Sequence, residues 1–184
     1  VGDILGALSE AGYADDTLVI FTSDHGDMMG ERGMWFKKTL FEQAVRVPMI
    51  VRHPHCAVRG CKKTPVSLVD LLPTCLGAAG GTRSDLLTEV EGEDLLQLAE
   101  GQTADTRSVY VEHLDGATRA PRVMVRKGAY KYVYSDAYPP QLFDVVADPE
   151  QLVNLAGQEA HAVTERGLLE EVTQRWDLAQ LKAD

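Results

Sequence analysis

The chain has 184 residues, 45% hydrophobic and 25% charged, the balance of a folded globular protein large enough for one sizeable core. Eighteen Lys and Arg against 28 Asp and Glu give a net charge of -10, which argues against nucleic acid or an anionic membrane surface as partner, since both need a cationic face. No apolar run reaches the roughly 20 residues of a membrane span, and the start lacks the basic-then-apolar layout of a signal peptide.

Ile4, Leu8 and Ala11 recur at helical spacing, and Gly12 is placed to end that helix. Because the pattern is already helical at Val1, the chain is expected to be a piece of something longer. A turn at Asp15-Asp16 feeds Leu18-Val19-Ile20-Phe21, which is continuously apolar rather than alternating and so predicts a strand covered on both faces in a parallel sheet. Met49-Ile50-Val51 predicts a second such strand. "SLVDLLPTCL" (67–76) predicts a helix with Ser67 as N-cap and Asp70 in the capping-box position, bent or interrupted at Pro73.

The character changes after about residue 105. "SVYVEH" (108–113), "RVMVRK" (122–127) and "YKYVYS" (130–135) are short, β-rich and partly alternating, with Gly128-Ala129 supplying a tight turn. Asp148-Pro149 starts a turn, and Val163, Leu168, Val172 and Trp176 mark a final amphipathic helix. The expected fold class is therefore α/β: parallel-type strands with helices over residues 1–104, then a small antiparallel sheet with a terminal helix packed on it over 105–184. Cys56, Cys61 and Cys75 form no even set and no CxxC pair, and read as buried or idle thiols of a reducing compartment.

In open parallel sheets ligands gather at the carboxyl ends of strands, where Asp24-His25-Gly26 stands. Carboxylate oxygen beside imidazole nitrogen suits Ca²⁺, Mg²⁺, Mn²⁺ or Zn²⁺, depending on the remaining ligands. Alone, the pair reads equally as a turn with a capping carboxylate and an exposed histidine. Gly26, Gly30 and Gly33 allow close backbone approach, and Lys37 lies in the same loop, placed either to hold an anion beside a metal or simply in solvent. Glu42 and Arg46 are spaced for an ion pair on a helix surface. Asp27 and Arg32 read as loop residues or as groups behind the ligands, His113 as a structural or surface histidine, and the aromatic run Tyr130, Tyr132, Tyr134 and Tyr138 as one face of a packed sheet rather than a cation cage.

The ordered set Ser23-Asp24-His25-Gly26, Gly30-Glu31, Lys37, Glu42, Arg46, Pro48, bracketed by two strands, closely resembles the C-terminal half of the sulfatases of the alkaline phosphatase superfamily. "VSLVDLLPTCLGAAG" (66–80), "RKGAYKYVY" (126–134) and "QLFDVVADPEQLVNLA" (141–156) are similar to that family's Asp-x-x-Pro-Thr helix, its Lys-Tyr hairpin and its Asp-Pro-x-Glu-x-x-Asn-Leu close. Within the family, "GERGMWFKKTLFE" (30–42) and "YVEHLDGATRAPRVMVRKGAYKY" (110–132) are most similar to choline sulfatases.

The resemblance implies an alkaline phosphatase-like sulfatase fold of which this is the C-terminal part, with Asp24 and His25 as metal ligands and Lys37 as a catalytic group bridging sulfate and nucleophile. Many sulfatases have Asn where this chain has His25. The implied cofactors are a divalent cation, Ca²⁺ first with Mg²⁺ or Mn²⁺ as alternatives, and a formylglycine made from Cys or Ser in a Cys/Ser-x-Pro/Ala-x-Arg motif. None of "CAVRG", "CKKTP" and "CLGAA" fits that motif, so the formylglycine is expected in an N-terminal part and the isolated chain is expected to be inactive. The implied whole protein is a cytoplasmic homo-oligomer acting on a small sulfate ester, choline O-sulfate, without a nucleic-acid or membrane partner. A phosphodiesterase or phosphonate monoester hydrolase of the same superfamily and a non-catalytic interaction module are the alternatives.

Overall fold

The computed structural model describes residues 1–101, 107–114 and 120–178. In chain order the elements are α1 (Gly2–Glu10), β1 (Val19–Thr22), β2 (Met28–Met29), β3 (Trp35–Phe36), α2 (Glu42–Val45), β4 (Met49–Arg52), α3 (Leu71–Ala78), α4 (Leu95–Glu100), β5 (Ser108–His113), β6 (Arg122–Lys127), β7 (Tyr130–Tyr134), β8 (Gln141–Asp144) and α5 (Ala162–Arg175), with short 3₁₀ turns between some of them. They form two units, Val1–Asp24 with Pro48–Thr103, and His25–Val47 with Ala104–Asp184. Segment 25–47, which the sequence reading placed on the N-terminal side of a cut near residue 104, stands in the second unit with the C-terminal sheet. The cut itself, and residues 115–119 of the choline-sulfatase-like stretch, lie outside the described residues.

In the first unit α1 ends where expected, with Gly12 at φ +78 donating its amide to Ser9 O at 3.0 Å. β1 and β4 are strands, but they pair antiparallel, Val19 opposite Arg52 through Thr22 opposite Met49. This corrects the parallel expectation, and it also corrects burial on both faces, because Phe21 and Ile50 are opposite one another and exposed. An unbroken apolar run tells how a strand is composed, not which strand it pairs with or in which direction.

Ser67 and Asp70 make the expected capping box around a 3₁₀ turn, from which α3 continues straight through Pro73. The proline stands in the first turn of α3, where its missing N–H removes no intrahelical bond. Asp70 is fully buried and accepts from the amides of Ser67 at 2.7 Å and Glu93 at 2.8 Å. The Thr74 hydroxyl donates to Asp70 O at 2.6 Å and accepts from the Leu95 amide at 2.8 Å. The Asp-x-x-Pro-Thr pattern thereby ties α3 to the start of α4. Among the described residues all three cysteines are free, with Cys61 and Cys75 exposed and Cys56 half-buried, so two of them are not the buried thiols considered above.

The second unit is built on the four-stranded antiparallel sheet β5-β6-β7-β8. β5 and β6 have the expected bounds; β8, which the sequence did not single out, pairs Tyr132 with Leu142. Asn154 accepts the Leu142 amide at 2.9 Å and Leu155 donates to Leu142 O at 2.8 Å, so the Asp-Pro to Asn-Leu close laces itself onto β8. On one face Val123, Val125, Tyr132 and Leu142 pack against Leu168, Val172 and Trp176 of the final helix and its end. Tyr130 and Tyr134 join that face, as read from their alternation, whereas Val163 is exposed and takes no part. On the other face Met124 and Val133 pack with Leu40, so segment 25–47 covers the side that α5 leaves open. Among the described residues no helix is long and apolar enough to cross a membrane.

Candidate active site

Asp24 is the last residue of the first unit and is exposed; the Ser23 hydroxyl donates to its Oδ1 at 3.3 Å. His25 opens the second unit, half-buried, with Nδ1 2.8 Å from the Gly26 carbonyl oxygen. A carbonyl only accepts, so Nδ1 carries the proton and Nε2 presents a lone pair. That lone pair meets the Lys37 ammonium, with Nζ 3.0 Å from Nε2. Of the predicted residues, the structure therefore brings His25 and Lys37 together within one unit, and Asp24 precedes His25 in the chain.

The loop that presents them folds tightly. Gly26 donates its amide to Ala44 O at 2.8 Å, and a Cβ on Gly26 would run into the Gln43 carbonyl, so only glycine allows this seam between the His25 turn and α2. After β2 the chain turns through Gly30 to Gly33, where the Met29 amide donates to the Glu31 carboxylate at 2.6 Å. That bond holds the Glu31 carboxyl below its ordinary range. β3 then pairs with β2 and delivers Lys37, whose side chain is exposed.

Three contacts pin this segment, and none was legible beforehand. Arg32 donates to the carbonyls of Glu150 and Gln151, the latter at 2.8 Å, and stacks 4.1 Å above the Phe41 ring, so it is an anchor rather than a solvated loop residue. Arg122 Nη2 donates to Lys38 O at 3.2 Å and to His113 Nδ1 at 3.0 Å, which gives His113 a structural role. Glu42 does not use its carboxylate on Arg46: it pairs at 2.9 Å with Lys131 Nζ, and Lys131 is fully buried. Arg46 instead closes α2 in extended conformation, which ends the helix before a surface pair can form.

Burial holds the Lys131 ammonium below the ordinary lysine range, and the Glu42 carboxylate offsets part of that shift. The Gln151 side-chain oxygen accepts from the Glu42 amide at 2.7 Å and lies 3.5 Å from Lys131 Nζ. Gln151 itself is buried at φ +54, a strained conformation for a residue with a side chain. It stands where the quoted closing motif has Glu.

The donor set fits a divalent cation in part. A carboxylate and an imidazole whose Nδ1–H is already bonded to a backbone carbonyl match the usual arrangement of a histidine ligand. Among the described residues no three His, Cys, Asp or Glu side chains are placed to hold a metal ion.

Comparison with known proteins bears on what such a loop does. The family model described as Sulfatase matches residues 1–81, which include Asp24, His25 and Lys37. Over 156 residues the chain is 42% identical to the choline-sulfatase of Rhizobium meliloti (strain 1021), covering 85% of this chain and 30% of that protein. The chain belongs to the sulfatase family. A protein solved in complex with its substrate D-glucosamine-2-N,6-O-disulfate superimposes with a TM-score of 0.77 at 27% identity, over 95% of this chain and 37% of that one. The phosphonate monoester hydrolase of Agrobacterium radiobacter does so with a TM-score of 0.77 at 29% identity, over 94% of this chain and 37% of that one. The fold is thus that of the alkaline phosphatase-like sulfatases, and the chain spans about a third of the length of the curated relatives it matches.

Proposed function

We propose that the whole protein to which this sulfatase-family chain contributes hydrolyses choline O-sulfate to choline and inorganic sulfate. The observation that carries this reading is the 42% identity to a choline-sulfatase over 156 residues, beside a His25–Lys37 pair that lies in the part matched by the Sulfatase model. In it, Asp24 and the Nε2 lone pair of His25 hold a divalent cation, Ca²⁺ before Mg²⁺ or Mn²⁺. When bound, such a cation supplies positive charge against the oxygens of the sulfate as the ester S–O bond breaks.

Lys37 and a cation compete for one lone pair. A cation on Nε2 would occupy the lone pair that Lys37 meets, and the exposed Lys37 ammonium would then be placed to bind a sulfate oxygen and offset charge developing there. The formylglycine nucleophile and the remaining metal ligands are assigned to the part of the protein outside residues 1–184, so this chain alone turns nothing over. A cytoplasmic homo-oligomer with a small sulfate ester as its partner completes the reading, and the charge of -10 supports the exclusion of nucleic acid and membrane surfaces.

The test is sulfate release from choline O-sulfate by the full-length protein beside its Asp24→Ala and Lys37→Ala variants. Release that falls by about 100-fold or more in both variants is the expected result. No release, with turnover of a phosphodiester or phosphonate monoester instead, would favour the second reading, to which the Agrobacterium radiobacter neighbour points.

A further inference from the structure

Lys131 is buried to 0% exposure in a strand that carries no predicted site residue, and its charge is met by Glu42 from the loop covering the sheet. A buried ion pair is a weak source of stability, because desolvation of both charges offsets their attraction; its better-attested use is to fix one register among several. Here the register concerns α2. Glu42 is held twice, by its carboxylate on Lys131 Nζ and by its amide on the Gln151 side-chain oxygen. Two residues on, Ala44 O accepts the Gly26 amide, and the Gly26 carbonyl in turn accepts from His25 Nδ1. His25 Nε2 ends the path at Lys37 Nζ.

The apolar contacts on this face, Leu40, Met124 and Val133 with Val45 and Val111 beside them, are few and non-directional, so they permit sliding that the ion pair forbids. Gln151 also keeps its side-chain nitrogen buried without a partner while its backbone sits at φ +54. Both features cost stability, and both place its oxygen on Glu42.

We propose that Lys131, Glu42 and Gln151 are positioning residues that set the height of α2 under the Gly26 seam and so aim His25 Nε2 and Lys37 Nζ. The proposal rests on the sulfatase reading for its activity readout but not for its metal readout. In the full-length protein, Lys131→Met removes the ammonium and keeps the length of the chain. It should lower kcat for choline O-sulfate by about 10-fold or more and weaken Ca²⁺ binding to the metal-free protein, measured by titration calorimetry, by a similar factor, with KM within about twofold. Lys131→Met combined with Glu42→Leu, an apolar pair, should regain thermal stability without regaining kcat or Ca²⁺ affinity. Lys127→Met, which breaks an ion pair with Glu171 on the other face, serves as control and should change neither.

A double variant that recovers rate and Ca²⁺ affinity together with stability would overturn the proposal and leave the pair a structural one. If Lys131→Met does not fold, Glu42→Gln, which keeps an oxygen for Lys131 but removes the charge, decides the same question by the same two readouts. If the wild type releases no sulfate, the choline sulfatase reading fails while the Ca²⁺ titrations still decide the positioning role. A wild type that binds no divalent cation would overturn both.

Discussion

On one face of the sheet β5–β8, Val123, Val125, Tyr132 and Leu142 meet Leu168, Val172 and Trp176, and the Trp176 indole donates to Glu112 at 2.6 Å. On the opposite face a smaller apolar cluster around Leu40, Met124 and Val133 is supplemented by charged and amide groups: Lys131 on Glu42, Gln151 on the Glu42 amide, and Arg122 on Lys38 O. The helix face gains mainly from area removed from water, which tolerates small displacements. The loop face gains less area and more direction, since each hydrogen bond specifies one alignment of segment 25–47. The helix face has directional bonds too, from Trp176 to Glu112 and from Ser108, Tyr110 and Lys127 to Glu171, but on the face that supports His25 and Lys37 such contacts carry the larger share.

The largest expected effect comes from the helix face. Leu168→Ala, at a site 3% exposed, should cost about 2–5 kcal/mol in a thermal or urea melt while leaving kcat of the folded protein unchanged. A change in kcat at temperatures where the variant is fully folded would collapse the distinction between the faces. Next comes the loop face. Gly26→Ala forces a methyl against the Gln43 carbonyl and should cost about 1–3 kcal/mol, with loss of sulfate release beyond what the melt accounts for. Full activity in that variant would show that the seam under His25 does not set the site.

The smallest effect concerns pH. Burial alone raises the Glu171 carboxyl, but hydrogen bonds from Lys127, Ser108 and Tyr110 outweigh it and leave it below the ordinary glutamate value of 4.5. A carboxyl lowered by folding contributes stability above its unfolded value, and that contribution is lost as pH falls through the folded one. The pair with Lys127 is partly solvated, so the contribution is about 0.5–1 kcal/mol. Glu171→Gln should accordingly lower the melting temperature slightly at neutral pH and flatten its decline below pH 4.5, without altering turnover. An unchanged acid limb in the variant would remove Glu171 from this account.

Much of this was legible along the chain. The capping box at Ser67 and Asp70, the helix end at Gly12 and the bounds of β5 and β6 depend on residues close in sequence, and alternation placed Tyr130, Tyr132 and Tyr134 on one face. Lys131 follows from the same alternation, but a lysine between tyrosines reads as solvent-facing until something covers that side. Arg32 and Glu42 read as loop and helix-surface residues for the same reason: their partners lie more than eighty residues away. β8 was missed because only Leu142 and Phe143 of its four residues are apolar, whereas β1 and β4, equally short, carry longer apolar runs.

From the sequence alone follow the family resemblance, the order of most of the elements and the adjacency of Asp24 and His25 after a strand, because each is a property of neighbouring residues. Tertiary structure decided that β1 and β4 run antiparallel, that segment 25–47 belongs with the C-terminal sheet, and that Lys37 meets His25 Nε2 above a buried Lys131–Glu42 pair. Strand direction, burial of a charge and the aim of a lone pair depend on which distant segments come together, and propensity and spacing carry no record of that.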